Sequence, residues 1–252
     1  MIEVALTPAD LREADVTVVI DVLRATSTAT QALAAGYPAV RCVDSLEHAL
    51  ALRGPGRILA GERRCVTPKG FDQGNSPREA RERRGDELVL ATTNGAPTAV
   101  AGAALSPRVL LACLLNLEAV RGSLRHVARA DRRVQIACAG IEGRIAVEDV
   151  YVAGRLSASL PGPRDDSARV AEAVAGALST PLRALGAGAG AAALRAAGLQ
   201  DDVADCARES RLDVVPRLVD SGPGWVLFGL ASSVGGRSLA QAAQRKLPAG
   251  RL

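Results

Sequence analysis

The sequence predicts an α/β protein: three layers, α/β/α, around a mostly parallel or mixed sheet, with a helix-rich C-terminal part. Short β-branched runs alternate with longer alanine-rich stretches of helical periodicity, the pattern of strands and helices layered about one sheet. At 252 residues the chain can bury a substantial core, as one large domain or two small ones. No internal repeat of fixed period competes with this reading.

The elements follow in order. Val16 to Ile20 is a wholly β-branched and mostly apolar run, a buried strand. Arg24 to Ala35 sets Ala25, Ala29, Ala32 and Leu33 on one helical face and is closed by Gly36. Further strands are expected at 39–43, 57–60, 88–91, 109–113 and 134–137, with helices at 47–52, 97–104, 117–127 and 147–160. After Pro161-Gly162-Pro163 the composition turns almost entirely helical from 167 to 207, broken at Pro181 and at glycines 186 to 190. Val214-Val215 and Trp225 to Phe228 offer late strands. Residues 1–160 therefore read as the sheet-forming part that carries the site, and 161–252 as a helical cover with a short β finish, integral to the same domain. From Gly61 to Arg84 runs a long connection punctuated by glycine, proline and asparagine, which predicts an ordered functional loop.

Composition narrows the function. Lys plus Arg number 31 against 27 Asp plus Glu, a net charge of +4 spread along the chain, and aromatics are 2%, so neither a basic footprint nor stacking platforms for nucleic acid exist. No apolar run reaches a membrane span and no leader pattern opens the chain, so the expectation is a cytoplasmic protein without membrane partners. Five scattered cysteines and two histidines argue against a disulfide framework or a zinc site; a metal here would take oxygen ligands. Homo-oligomerisation is left open.

In open α/β sheets ligands bind beyond the carboxyl ends of strands. The residues directly after the predicted strands share one vocabulary. Asp21, Arg24, Thr26, Ser27 and Thr28 follow the first; Glu62 and Arg63 the third; Thr92, Thr93, Asn94 and Gly95 the fourth; Cys138, Gly140 and Arg144, then Glu148 and Asp149, the sixth. Hydroxyls, glycines and arginines at helix N-termini suit an anion. Carboxylates among them would repel it unless a hard cation sits between, so the pattern points to a magnesium and phosphate site. Each piece has a plainer reading: Thr26, Ser27 and Thr28 as caps, Glu148 and Asp149 as partners of a helix dipole, Asn94-Gly95 as a turn. Asp21 resists it, since a carboxylate ending a buried strand is costly unless paired or metal-bound.

Other phosphate chemistries can be checked against the letters. No Gly-x4-Gly-Lys-Ser/Thr loop exists. Gly186 to Ala191 has the letters of a dinucleotide fingerprint, yet it follows a helical stretch where a strand is required. The loop opened by Asp21 partly matches the haloacid-dehalogenase nucleophile loop, but Leu23 replaces its second aspartate. Cys138 to Arg144 spells Cys-x5-Arg after a strand, so a cysteine phosphatase is a competing mechanism; its plainer reading is a small buried thiol beside a glycine turn.

Val18 to Thr28, Gly61-Glu62-Arg63, Gly70 to Pro77, Thr92 to Gly95, and Cys138 to Gly140 with Glu148-Asp149 together resemble the 2-phosphosulfolactate phosphatase family in order and spacing, and Asp202 to Cys206 with Val215-Pro216 extends the likeness. The resemblance implies a three-layer α/β fold and a Mg2+-dependent phosphatase that converts 2-phosphosulfolactate to 3-sulfolactate and phosphate, a step toward coenzyme M. Ala96 departs from the threonine more usual there. With the residue reading, it gives Asp21, Arg24, Arg63, Thr93 and Asn94 catalytic roles. It assigns a small anionic phosphorylated substrate to Thr26, Ser27, Thr28, Asn75, Ser76, Thr92, Gly95, Gly140 and Arg144, with Lys69 flanking. Mg2+ would be held by Asp21 with one or two of Glu62, Asp72, Glu148 and Asp149. Direct water attack and a phosphoenzyme both stay open, as does a non-catalytic binding protein for a phosphorylated or sulfonated metabolite, which should avoid such carboxylates.

Overall fold

The computed structural model describes residues 1–129 and 132–230 of the chain. Nine strands form one mixed sheet in the order β1-β7-β2-β6-β8-β9-β3-β5-β4. The strands are β1 (Ile2–Ala5), β2 (Val16–Ile20), β3 (Ala39–Val43), β4 (Arg57–Gly61), β5 (Glu87–Ala91), β6 (Val109–Ala112), β7 (Val134–Cys138), β8 (Arg217–Gly222) and β9 (Trp225–Gly229). The six expected in the first 160 residues stand within a residue of their places. β1, a four-residue run that starts at the second residue, was not anticipated; it pairs in parallel with β7, Ile2 opposite Val134. The late strand expected at Val214-Val215 starts instead at Arg217, after Pro216, which has no N–H to offer a ladder.

Two parallel blocks run through this sheet. β1, β7, β2 and β6 form one, and β3, β5 and β4 the other. Between them the β8–β9 hairpin is antiparallel to its neighbours on both sides, so the second block runs opposite to the first. The β finish of the sequence reading is thus the middle of the sheet. Twist accumulates across a sheet this wide, and contacts described below bring the carboxyl ends of both blocks to one cavity.

Alternate side chains sort onto two faces. Val16, Val18 and Ile20 of β2 join the core under α4 (Leu117–Arg129) and α5 (Val147–Ser159), while Val19 joins the other face with α1 (Ala25–Ala34) and α3 (Gly95–Leu105). A third cluster packs α2 (Leu46–Ala51) on Val43, Val89 and Ala91. The C-terminal helices are α6 (Asp166–Ala177), α7 (Pro181–Gly186), α8 (Ala189–Ala196) and α9 (Gln200–Cys206), with breaks where Pro181 and the glycines predicted them. Residues 231–252, the end of the expected helical cover, lie outside the described residues.

The connection after β4 carries no helix or strand of the sheet until Glu79. Part of its length has a structural use. Leu59 O accepts the N–H groups of Asp72 (2.9 Å) and Gln73 (3.2 Å), and Gln73 O accepts Gly61 N–H. β4 is the last strand of the sheet, so the returning loop covers an edge that would otherwise present unpaired backbone.

Candidate functional site

Asp21 is the floor of the site. It follows β2 and its Oδ1 accepts the N–H of Ala25 at the start of α1 (3.2 Å). Burial pushes its carboxyl up from 3.8 to about 7, an effect that Glu62 and Glu148 reinforce and that the N–H groups of Ala25 and Gly95 oppose. Gly95 has to be glycine here: a Cβ would stand 2.5 Å from both Asp21 Oδ2 and the Ala25 methyl.

The strand exits are laced together by acceptors. Glu62, one residue beyond β4, takes the N–H and the hydroxyl of Thr93 on Oε1, both at 2.8 Å, and Cys65 N–H on Oε2 at 3.1 Å. Asn94 Oδ1 accepts Glu142 N–H (3.2 Å), tying the exit of β5 to that of β7. Asp149 takes Val22 N–H on one oxygen (2.9 Å) and Gly140 N–H on the other (3.0 Å), tying β2 to β7. Its burial raises its pKa well above the carboxylate range, and the neighbouring Asp21 raises it further.

Glu148 is buried, and its Oε2 has no hydrogen-bond partner among the described residues. Burial raises its pKa too, against the N–H of Gly190. Its carboxylate lies against Gly188 and Gly190, where a methyl group on either would overlap it. The glycine run with the letters of a nucleotide fingerprint is therefore space for a carboxylate at the N-terminus of α8, where the helix dipole favours it.

A cavity of about 220 Å3 opens over these groups. Its polar lining is Asp21, Arg24, Glu62, Arg64, Asn75, Thr93, Asn94 and Glu142, and its apolar lining is Leu23, Cys65, Ile141 and four residues of α8. Of the residues singled out in the sequence, Asp21, Arg24, Glu62, Asn75, Thr93 and Asn94 thus meet in one place. Arg63 stands beside them, its Nη1 donating to Glu62 O.

Others are spent elsewhere. The hydroxyls of Thr26, Ser27 and Thr28 donate to the carbonyls of Asp21, Val22 and Asn75, so they tie the first turn of α1 into place. Thr92 Oγ1 accepts Ala96 N–H, and Ser76 Oγ donates to Asp202. Gly140 serves through its backbone. Asp72 does not reach the cavity: Oδ2 accepts Leu59 N–H (2.7 Å) and Oδ1 pairs with Arg53 (3.2 Å), which fixes the loop to the sheet edge. Lys69 is exposed outside the lining. Cys138 and Arg144 are not brought together as a cysteine phosphatase needs. The thiol is fully buried in the core and pushed well up by burial and by Asp149, while Arg144 is exposed on the turn that bridges back to Ile141. Arg64 and Glu142 were not singled out although they stand in the same strand exits as residues that were, and the α8 wall follows no strand and is brought in by the fold alone.

Fold and site together define an α/β protein with a cavity at its strand exits, lined by carboxylates and arginines. The chain belongs to the 2-phosphosulpholactate phosphatase family, whose model matches residues 2–221. It is similar to a Thermus thermophilus protein named "Probable 2-phosphosulfolactate phosphatase", 43% identical over 210 residues that cover 81% of this chain and 88% of the relative. A Deinococcus radiodurans protein of the same name is 39% identical over 86% of this chain and 94% of its own. The Methanothermobacter thermautotrophicus protein named "2-phosphosulfolactate phosphatase" is 34% identical over 79% of this chain and 84% of its own. Among the described residues no helix is long and apolar enough to cross a membrane.

Proposed function

We propose that this chain, a phosphoric monoester hydrolase of that family, hydrolyses 2-phosphosulfolactate to 3-sulfolactate and phosphate in the cavity over Asp21, and that it does so with Mg2+. The observation that carries the reading is the charge of the lining. Three carboxylates, Asp21, Glu62 and Glu142, face two guanidinium groups, Arg24 and Arg64. A polyanionic phosphomonoester would be repelled by this set without a further cation.

The donors suit one. Mg2+ is held by one or two carboxylates together with water and phosphate oxygens, and Asp21 and Glu62 both border the cavity while Glu148 keeps an unpartnered oxygen close enough to raise the pKa of Asp21. Among the described residues no group of three or more such ligands is gathered, so the protein's share would be small. When bound, Mg2+ would neutralise phosphoryl oxygens and polarise phosphorus toward attack. The chain's own groups do the rest. Arg24 presents a planar fork to the anion, where charge on the phosphoryl and leaving oxygens would be stabilised. Thr93 and Asn94, held by Glu62 and by the β7 exit, fix the rim. Leu23, Ile141 and the α8 residues add an apolar part to the lining. A site built only to hold an anion would gain nothing from Asp21 and Glu62.

The test is phosphate release from a panel of small phosphorylated acids, in EDTA and with Mg2+. The proposal expects 2-phosphosulfolactate to be the best substrate, with activity lost in EDTA and restored by Mg2+. Full turnover in EDTA, or preference for a phosphomonoester without a sulfonate, would contradict it.

A further inference from the structure

We infer that Asp202, on α9 in the C-terminal part, is the positioning residue for Arg24, keeping its guanidinium turned to the substrate and away from the site's own carboxylates. The inference rests on the reading of the Asp21 cavity as the phosphatase site.

Arg24 is 4% exposed, too buried to stand unpaired. Its Nη1 donates to Asp202 Oδ2 at 2.7 Å, and this is the guanidinium's one hydrogen bond among the described residues. The rest of the fork is left uncommitted at the cavity wall. Asp202 uses its other oxygen to accept Ser76 Oγ–H at 2.7 Å. One carboxylate therefore joins the segment after β2 to the loop after β4, from 178 residues beyond Arg24 and 126 beyond Ser76. α9 is itself fastened to the continuation of that loop, through Asp201 to Arg78 (2.5 Å) and Asp205 to Arg81 (2.8 Å).

The physical need is specific. Asp21 and Glu62 border the same cavity as Arg24. A guanidinium without a fixed partner would pair with them, and both the cation for the phosphate and the acids beside it would be cancelled. A carboxylate on the far side, engaging one nitrogen, prevents this and orients the plane of the fork. A buried ion pair is weak support for stability, which makes orientation the better account of this one.

The test is a double-mutant cycle with Asp202→Asn and Arg24→Gln, read as kcat/KM for phosphate release, with thermal melts in parallel. The amide keeps an acceptor for Ser76 and nearly the same shape. Asp202→Asn should lower kcat/KM by at least about tenfold alone but by less than about twofold in the Arg24→Gln background, as expected for residues that act as a unit. Equal losses in both backgrounds, or no loss in either, would overturn the inference. Should Asp202→Asn not fold, Asp202→Glu carries the same comparison, since its longer carboxylate displaces Arg24 and must cost activity only while Arg24 is present. Wild-type activity in Arg24→Gln alone would remove the cavity reading and this inference with it. A lost Arg24→Gln with a silent Asp202→Asn removes the inference only.

Discussion

Replacing Asp21 with asparagine should make the metal-free protein more stable and nearly inactive. The magnitude follows from burial. The carboxyl's pKa stands at about 7 in the fold against an ordinary 3.8. Because the folded value is the higher, its contribution to stability is full below the unfolded value and is lost as pH rises through the folded one. At pH 8 that difference of about three units is worth on the order of 4 kcal/mol against the ionised wild type. Asparagine avoids this cost but turns an amide group toward the N–H donors of Ala25 and Gly95, a mismatch of about 1 to 3 kcal/mol. The balance is a gain of roughly 1 to 3 kcal/mol, or about 3 to 9 °C in Tm for a chain of this size. Melts in EDTA at pH 5 and pH 8 measure it, and the gain should shrink at pH 5, where the wild-type carboxyl is protonated. Phosphate release with Mg2+ should fall by about 10²- to 10³-fold or more. A variant less stable than wild type at pH 8, or one that retains turnover, would rule out a buried, catalytically required carboxylate at Asp21.

Gly190→Ala would overlap the Glu148 carboxylate and should cost about 1 to 3 kcal/mol in denaturant melts, with much of the loss recovered in Gly190→Ala/Glu148→Ala; a neutral single variant would mean that α8 is free to shift. Cys138→Ala should lower stability by about 1 kcal/mol and leave kcat within about twofold, because the thiol is buried and protonated; loss of turnover without loss of fold would restore the cysteine mechanism. Asp72→Asn should weaken the loop's hold on β4, visible as faster hydrogen exchange near Leu59 and Asp72, without changing the Mg2+ concentration needed for half-maximal activity; a changed requirement would return Asp72 to the site.

Six of the seven strands in the parallel blocks were legible because a strand buried on both faces is rich in apolar residues, as in Val16 to Ile20 and Val134 to Cys138, where Thr17 and Gln135 are the single polar residues. β1 was not, being a short terminal run with Glu3 inside it, and its place is set by β7. The reversal of direction across β8 and β9 leaves no local trace either, since pairing partners are chosen by the whole sheet. At the site, the strand-exit rule found Asp21, Glu62, Thr93 and Asn94. It could not tell a hydroxyl that faces a ligand from one that ties down its own helix, hence Thr26, Ser27 and Thr28. Asp72 looked like a ligand because its loop looked too long for structure alone, whereas the exposed edge of β4 accounts for part of that length. The partner of Arg24 lies at Asp202, and no spacing rule reaches so far along a chain.

Substrate and metal should meet between Asp21, Glu62 and Arg24, and a crystal structure of the protein soaked with Mg2+, sulfolactate and phosphate would show it. The expected result is an ion against the Asp21 and Glu62 carboxylates and a phosphate against the open side of the Arg24 fork. Ion and phosphate bound together anywhere else on the chain, with the Asp21 cavity holding neither, would contradict it.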